Sequence, residues 1–378
     1  MGRELTLGVS GWRLHGQRTG VARYVLSILE RLTPAVIDGR FRGVTVYTPR
    51  PLKTAGIQLP DSVSERVLAS SAPMLLWDNL YVARKAADDV VFYPSFSRPF
   101  VARGATVVTT HEAIMKIIPQ MFDRRARFIY APLYGWSARA ATLVITTSQA
   151  AKRDIAAAWD IDVAKIRVTP LAAAAAFCPL PESADRAALR VKMFGTDVPY
   201  FLFVGKISGR RNIPELLRGF QAFKRTTGFP HGLVIAGPDY AIQAAKRMAD
   251  ETSIGADLIT RTYVPDEELN AVYNCAEALV LPSVYENGSL PVFEAQAAGT
   301  PIISVDTDGT REISGGAALL MPSLSAQAIA DAMAQIAEDN MLRRDLSARG
   351  LANSKQYSWE RCARETVAVC HEAAMLNR

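Results

Sequence analysis

Two glutamates, Glu286 and Glu294, stand with seven residues between them, and the turn Gly288-Ser289-Leu290-Pro291 lies in that interval. Upstream, Ala278-Leu279-Val280-Leu281 reads as a short buried strand. Downstream, residues 291–298 read as the opening of a helix that Gly299 and Pro301 close. A strand feeding a polar turn and then a helix N-terminus presents backbone N–H groups to an anion. Two carboxylates beside a bound phosphate would repel it, so they need other work. An ionised carboxylate accepts hydrogen bonds from vicinal diols. A site that takes a diphosphate on backbone amides and diols on carboxylates is a nucleotide-sugar site.

The elements that must hold this turn follow a βα alternation from end to end. Strands are expected over 5–10, 44–48, 90–93, 106–110, 143–146 and 166–169, with helices over 21–32 and 150–158, the second capped by Ser148. Residues 172–198, rich in Ala and Pro, break the pattern. It restarts with strands over 200–204, 233–236, 258–262, 278–281, 301–305 and 317–321, alternating with helices and ending in a helix over 359–376. Such alternation implies an α/β fold of two doubly wound parallel sheets. At 378 residues the chain exceeds the size at which one core keeps growing. The expected domains are 1–172 and 199–356, with a linker at 173–198 and a closing segment at 357–378.

Apolar content of 49% with 21% charged residues is that of an ordinary globular chain. No stretch has the form of a signal peptide or the length of a membrane span, so a cytoplasmic protein is expected. Cys178, Cys275, Cys362 and Cys370 show no metal-ligand or paired spacing and read as free thiols in a reducing compartment. The net charge of +6 hides an asymmetry: residues 1–190 carry 25 basic against 15 acidic side chains, and the remainder 18 against 22. One basic cluster holds Arg40, Arg42, Arg50 and Lys53. Another, Lys116, Arg124, Arg125 and Arg127, is interleaved with Ile117, Ile118, Met121, Phe122 and Phe128. Solvated helix faces account for such clusters, and so does a surface that meets anionic lipid at the inner face of a membrane. No nucleic-acid reader motif accompanies the charge, so nucleic acid is not an expected partner.

Three segments of the second half resemble the retaining nucleotide-sugar glycosyltransferases of family 4, which have the GT-B architecture of two facing Rossmann-like domains. They are the Glu286…Glu294 pair with its Leu290-Pro291 turn, the run Gly205-Lys206-Ile207-Ser208-Gly209-Arg210-Arg211-Asn212, and Tyr357-Ser358-Trp359-Glu360. The last is similar to the entry of a C-terminal helix that crosses back to the first domain. In the first half, Arg18-Thr19-Gly20-Val21-Ala22-Arg23-Tyr24 resembles the family's first glycine loop, and Val107-Val108-Thr109-Thr110-His111-Glu112 its strand leading to His-Asp. Glu112 stands here in place of the Asp, and Arg211 where lysine is usual; either cation neutralises a diphosphate.

The resemblance implies that Lys206 and Arg211 hold the leaving diphosphate, Glu286 the donor sugar and Glu294 the ribose hydroxyls. It implies that Gly288, Ser289 and Leu290 offer backbone amides, and that His111 touches the transferred sugar. Gly20 and Gly205 would let their loops approach the ligand closely. The expected reaction moves a hexose from a nucleoside diphosphate sugar to an acceptor hydroxyl with retention, through an oxocarbenium-like transition state. Asp306-Thr307-Asp308 has the form of a metal-binding Asp-x-Asp, yet it follows a late strand and reads as loop and cap. No metal and no cofactor are expected. Mannose from GDP-mannose is the first expectation for the donor; a UDP sugar is the alternative, because Gly288-Ser289 replaces the family's usual aromatic-glycine pair. The expected acceptor is a saccharide, lipid-linked through a polyprenyl diphosphate, as in polysaccharide or lipopolysaccharide assembly. A sugar-nucleotide epimerase or hydrolase, or a non-catalytic nucleotide-sugar-binding protein, are the competing classes. A dehydrogenase is disfavoured, since no Gly-x-Gly-x-x-Gly follows the first strand.

Overall fold

The computed structural model describes residues 4–16, 20–237, 239–251, 254–262 and 264–377. The chain divides into two compact units, one made of Met1–Leu171 and Ser358–Arg378, the other of Ala172–Tyr357.

The first unit is built on a seven-stranded parallel sheet: β1 (Thr6–Ser10), β2 (Gly43–Thr48), β3 (Val63–Val67), β4 (Val90–Tyr93), β5 (Ala105–Thr109), β6 (Leu143–Thr146) and β7 (Ile166–Val168). Their spatial order is β3-β2-β1-β4-β5-β6-β7. The central strands β4, β5 and β6 are buried along their whole length, as expected of parallel strands covered on both faces. Strand β3 lies outside the expected strands. It is an edge whose Ser64, Glu65, Arg66 and Val67 face solvent, so it carries no buried signature. Glu65 still ties it down, accepting from Thr48 Oγ1 at 2.7 Å and from the Leu52 amide at 2.8 Å.

The helix Trp359–Leu376 completes this unit, lying on β4, β5 and β6 and against the helix Gly20–Leu29. Its buried face is mostly small, with Cys362, Ala363, Cys370 and Ala373 fully covered, which lets the helix approach the sheet closely. Trp359 opens it, packed 6.3 Å from the Tyr24 ring, and Ser358 caps it through the Arg361 amide at 3.1 Å.

The second unit repeats the plan with six parallel strands: β8 (Tyr200–Val204), β9 (Gly232–Ala236), β10 (Leu258–Arg261), β11 (Ala278–Leu281), β12 (Ile302–Val305) and β13 (Leu319–Met321), in the order β10-β9-β8-β11-β12-β13. Phe201, Phe203, Phe220 and Phe223 anchor its core. His231 is buried beside them, stacked on Phe201 at 5.4 Å; burial first, then Lys224, Arg343 and Arg190, drive its pKa down to about 4. The stretch expected as a linker is more ordered than its composition suggests. It contains the helix Arg186–Phe194, capped by Asp185, and Asn270 and Asn274 bind its Cys178 and Leu180 amides at 3.1 and 2.8 Å.

Both sheets reverse direction of growth at their first strand: β1 lies between β2 and β4, and β8 between β9 and β11. Loops at the carboxyl ends of such neighbours diverge and leave a crevice, the place where ligands bind in open α/β sheets.

Candidate functional site

At the switch point of the second sheet, the loop after β8 is stitched to the loop after β11. Asn212, held at φ 45°, donates from Nδ2 to the carbonyls of Arg210 (3.0 Å) and Pro282 (3.1 Å). The Val284 amide returns a bond to the Arg210 carbonyl at 3.2 Å. Gly205 begins the β8 loop at φ 133°, a backbone conformation reserved in practice for glycine. A Cβ there would meet the Arg211 guanidinium at 3.2 Å.

This stitching brings charge together inside the protein. Glu286 is 2% exposed, and its Oε2 accepts from Arg210 Nη1 at 2.9 Å, with Arg211 Nη2 3.7 Å away. Burial pushes the Glu286 carboxyl up, but the two guanidiniums outweigh it and hold the pKa below its usual value. Arg210 also donates to the Tyr285 carbonyl at 3.0 Å. Arg211 is itself buried, its guanidinium 5.9 Å from the Phe203 ring. Lys206 projects to the exposed side of the same loop. Gly205, Arg211 and Glu286 thus come together here, with Lys206 next to Gly205 in the same loop. Arg210 was not singled out, although it makes the closest contact to Glu286. Its signal was its place beside Arg211 in a basic pair.

The helix Leu290–Ala298 starts from Ser289, with Pro291 in the first turn and Gly299 closing it at φ 78°. A helix N-terminus attracts anions through its amide groups and its dipole. The Ser289 hydroxyl is buried and, among the described residues, has no hydrogen-bond partner. Gly288 is half-buried and Leu290 buried. Glu294 is also buried, and its Oε2 accepts from Tyr273 Oη at 2.9 Å. Phe293, its neighbour in the helix, packs edge-on against Tyr357 at 4.9 Å.

The Asp306-Thr307-Asp308 segment leads into a helix, Asp308–Ser314, where loop residues were expected; Thr307, not an aspartate, caps it. Arg311 takes both carboxylates, with Nε 2.6 Å from Asp306 and Nη1 3.2 Å from Asp308. A guanidinium already in that position opposes a divalent cation between the same groups. Gly309 matters more here. A Cβ on it would lie 2.1 Å from both the Glu286 carbonyl and Asn287 Oδ1, so this helix packs directly on the backbone that carries Glu286.

In the first unit, His111 follows β5 and is partly exposed. Tyr24 meets it edge-on at 4.9 Å and Phe96 at 5.1 Å. Its Nε2 lies 3.3 Å from the Pro94 carbonyl, which only accepts, so Nε2 carries the proton and Nδ1 keeps a lone pair. Loss of solvent, set against the Pro94 bond and with Arg13 nearby, takes its pKa down to about 4. Phe96 sits at φ 63°, rare for a bulky residue and costing about 1–3 kcal/mol. Its amide donates to the Thr109 carbonyl at 2.8 Å, and its ring stacks on Tyr134 at 5.0 Å. Beside it, at the β1 and β4 ends, Ser10 donates to the buried Asp78 at 2.8 Å and Arg13 to Ser95 at 2.8 Å. Burial lifts Asp78 to a pKa of about 7 against Ser10 and Arg13. Neither Phe96 nor Asp78 carries a motif that would have disclosed it. Gly20 opens its helix and is exposed; Arg18 and Thr19 lie outside the described residues.

Residues 186–352 match the family model of glycosyl transferases group 1, and residues 18–173 match that of glycosyltransferase family 4. The chain belongs to the family 4 glycosyltransferases. O-antigen chain mannosyltransferase B of Escherichia coli is 27% identical over 368 residues, covering 92% of this glycosyltransferase and 95% of that protein. Among solved structures, HepE of Anabaena in complex with UDP and glucose matches 97% of this chain and 98% of its own, with a TM-score of 0.75 at 14% identity. WaaG, a glycosyltransferase involved in lipopolysaccharide biosynthesis, matches 96% of this chain and 99% of its own, at 0.73 and 12%. These two likenesses establish the GT-B fold.

Proposed function

We propose that this glycosyltransferase moves a mannosyl unit from GDP-mannose to a hydroxyl of a lipid-linked saccharide, with retention of anomeric configuration and without a metal. The observation that carries the reading is the buried, ionised Glu286, fixed by Arg210 and Arg211. A carboxylate held so firmly in its charged form is an acceptor for sugar hydroxyls, and it stands three residues before the cap of a helix whose N-terminus suits a diphosphate.

In this reading the acceptor oxygen bonds to the anomeric carbon as the bond to the diphosphate breaks. The acceptor's proton passes to the leaving phosphate on the same face of the sugar. Lys206 and Arg211 meet the charge that grows on that phosphate, which lowers the barrier more than it tightens ground-state binding. The amides of Gly288, Ser289 and Leu290 assist, with Gly205 allowing close approach. Glu286 orients the sugar and Glu294 the ribose. His111, neutral and with Nδ1 open as an acceptor, takes a hydroxyl of the transferred sugar, and Gly20 lies at the first loop. Support for mannose and for an O-antigen or lipopolysaccharide context comes from the Escherichia coli relative. The enzyme is read as cytoplasmic, working at the inner face of the membrane.

A thermal-shift panel of GDP and UDP sugars tests the reading. A ligand at 100 times its dissociation constant adds about 2.7 kcal/mol. GDP-mannose should raise the melting temperature most. A shift with a UDP sugar alone would replace mannose from GDP by that donor, and no shift with any of them would end the transferase reading. Free or epimerised sugar formed at the same rate without acceptor would favour a hydrolase or epimerase.

A further inference from the structure

Four helices of the second unit are capped by the side chain that precedes them. Asp185, Thr307, Ser325 and Asp339 each accept from an amide of their own first turn, at 2.9, 3.1, 3.1 and 2.9 Å. Ser289 holds the same place before the helix Leu290–Ala298, with an extended backbone at φ −109° and ψ 107°, yet its hydroxyl makes no such bond. The first turn is served by the Ser289 carbonyl instead, which accepts from the Val292 amide at 3.0 Å and from Phe293 at 3.4 Å. Pro291 has no amide to offer, and the Leu290 amide, first in the helix, has no acceptor within it.

The cap hydroxyl is therefore left over. Ser289 is 2% exposed, and its Oγ has no hydrogen-bond partner among the described residues. A buried hydroxyl in that condition costs the folded chain stability unless a ligand supplies the partner. Its setting decides what that ligand is. The positive end of the helix dipole and the open Leu290 amide favour an anion, toward which a hydroxyl can only donate. Glycine is usual at this position in the family, and glycine brings an amide but no hydroxyl. What Ser289 adds is thus particular to this chain.

We propose that the Ser289 hydroxyl donates a hydrogen bond to the sugar-bearing phosphate of the nucleoside diphosphate donor. Ser289 keeps its proton throughout. The bond strengthens as the sugar leaves and charge grows on that phosphate, so it favours the transition state over the bound donor. Burial keeps water from competing for the same oxygen. The proposal rests on the nucleotide-sugar reading and assigns to a side chain what that reading gave only to backbone amides.

Ser289→Ala tests it through two properties that a capping role and a ligand role move in opposite ways. Without ligand, the urea midpoint should stay or rise, because the hydroxyl removed had no partner in the protein. GDP and GDP-mannose should each bind roughly 10- to 100-fold more weakly by calorimetry, the worth of a hydrogen bond to a charged group. GMP lacks the sugar-bearing phosphate and should bind the variant and the wild type alike. Ser325→Ala should show the reverse pattern, a lower urea midpoint with unchanged GDP affinity. Wild-type GDP affinity in Ser289→Ala, or a midpoint lowered as far as in Ser325→Ala, would overturn the proposal. A loss confined to GDP-mannose would put the contact on the sugar, and an equal loss with GMP would put it on the other phosphate; either result overturns the assignment. If neither GDP nor UDP binds the wild type, the nucleotide-sugar reading itself falls, and this inference with it.

Discussion

Arg210 and Glu286 meet at 2.9 Å although 76 positions separate them in the chain. The bond exists because β8 and β11 are neighbours in the sheet, so the loops at their carboxyl ends share one space. Removing one partner from a buried ion pair leaves the other uncompensated, at a cost of about 3–5 kcal/mol. Arg211 remains 3.7 Å from the carboxylate, so Arg210→Ala should fall at the low end of that range in urea denaturation. Glu286→Gln should cost less in stability but lower kcat/KM by roughly 10- to 100-fold, the worth of a charged hydrogen bond to a sugar hydroxyl. Equal kcat/KM in wild type and Glu286→Gln would remove Glu286 from substrate contact.

Gly309 sets the position of that carboxylate from behind. Its Cβ, if present, would overlap the Glu286 carbonyl and Asn287 Oδ1, and a backbone carbonyl yields little. Gly309→Ala should destabilise the second unit by about 1–3 kcal/mol and raise the donor's KM. Gly43→Ala, at a glycine with nothing within 4 Å, serves as the comparison and should change neither.

His111 should not titrate in the range usual for histidine. With its pKa near 4, it is neutral from about pH 5 upward, and Nδ1 accepts throughout that range. The pH profile of kcat/KM should therefore show no His111-dependent inflection near 6.5, and the contribution of His111 should be lost only as pH drops through about 4. An inflection near 6.5 that His111→Asn removes would contradict this assignment.

Acid should weaken the fold through His231. His231 binds its proton in the folded chain only near pH 4, whereas an unfolded histidine does so near 6.5. Its folded pKa is lowered, so the unfolded state gains protons first and stability falls as pH drops from about 6.5 toward 4. The loss is on the order of 2–3 kcal/mol. His231→Phe, placed among Phe201, Phe223 and Phe229, should make the urea midpoint fall less steeply across that window; His111, lowered to about 4 as well, keeps its own share of the slope. An unchanged slope would mean that His231 is not buried in its neutral form.

Chelator should leave turnover intact. Arg311 already neutralises Asp306 and Asp308, and Asp306→Asn should change kcat/KM by less than about threefold, as exposed ion pairs contribute little. Loss of activity in EDTA that manganese restores would reverse this expectation.

The legible part of this chain was the part written in local pattern. Glu286, Ser289 and Glu294 lie within one turn and helix, and the continuous apolar runs of β4, β5 and β6 announce covered strands. Arg210 was readable only as half of a basic pair, because its contact depends on which strands become neighbours. The edge strand β3 hid behind a polar outer face. Phe96 was silent for another reason: a left-handed backbone at a phenylalanine is imposed by the surrounding packing and leaves no trace in residue type. Gly309 carried no local pattern, since nothing nearby in sequence says that the Glu286 backbone will press against it.

The helix that closes the first unit has a consequence for how the protein comes into being. When Leu171 has left the ribosome, β4, β5 and β6 are complete but the side of the sheet that Trp359–Leu376 will cover is still bare. The whole second unit is made next, from one unbroken stretch, and can finish folding while the first waits. The half synthesised first is therefore the last to mature. Its apolar sheet passes through the longest exposure to aggregation, and a truncation of the last turns of that helix should be felt first beside Phe41 and Arg167, which His371 and Glu372 contact.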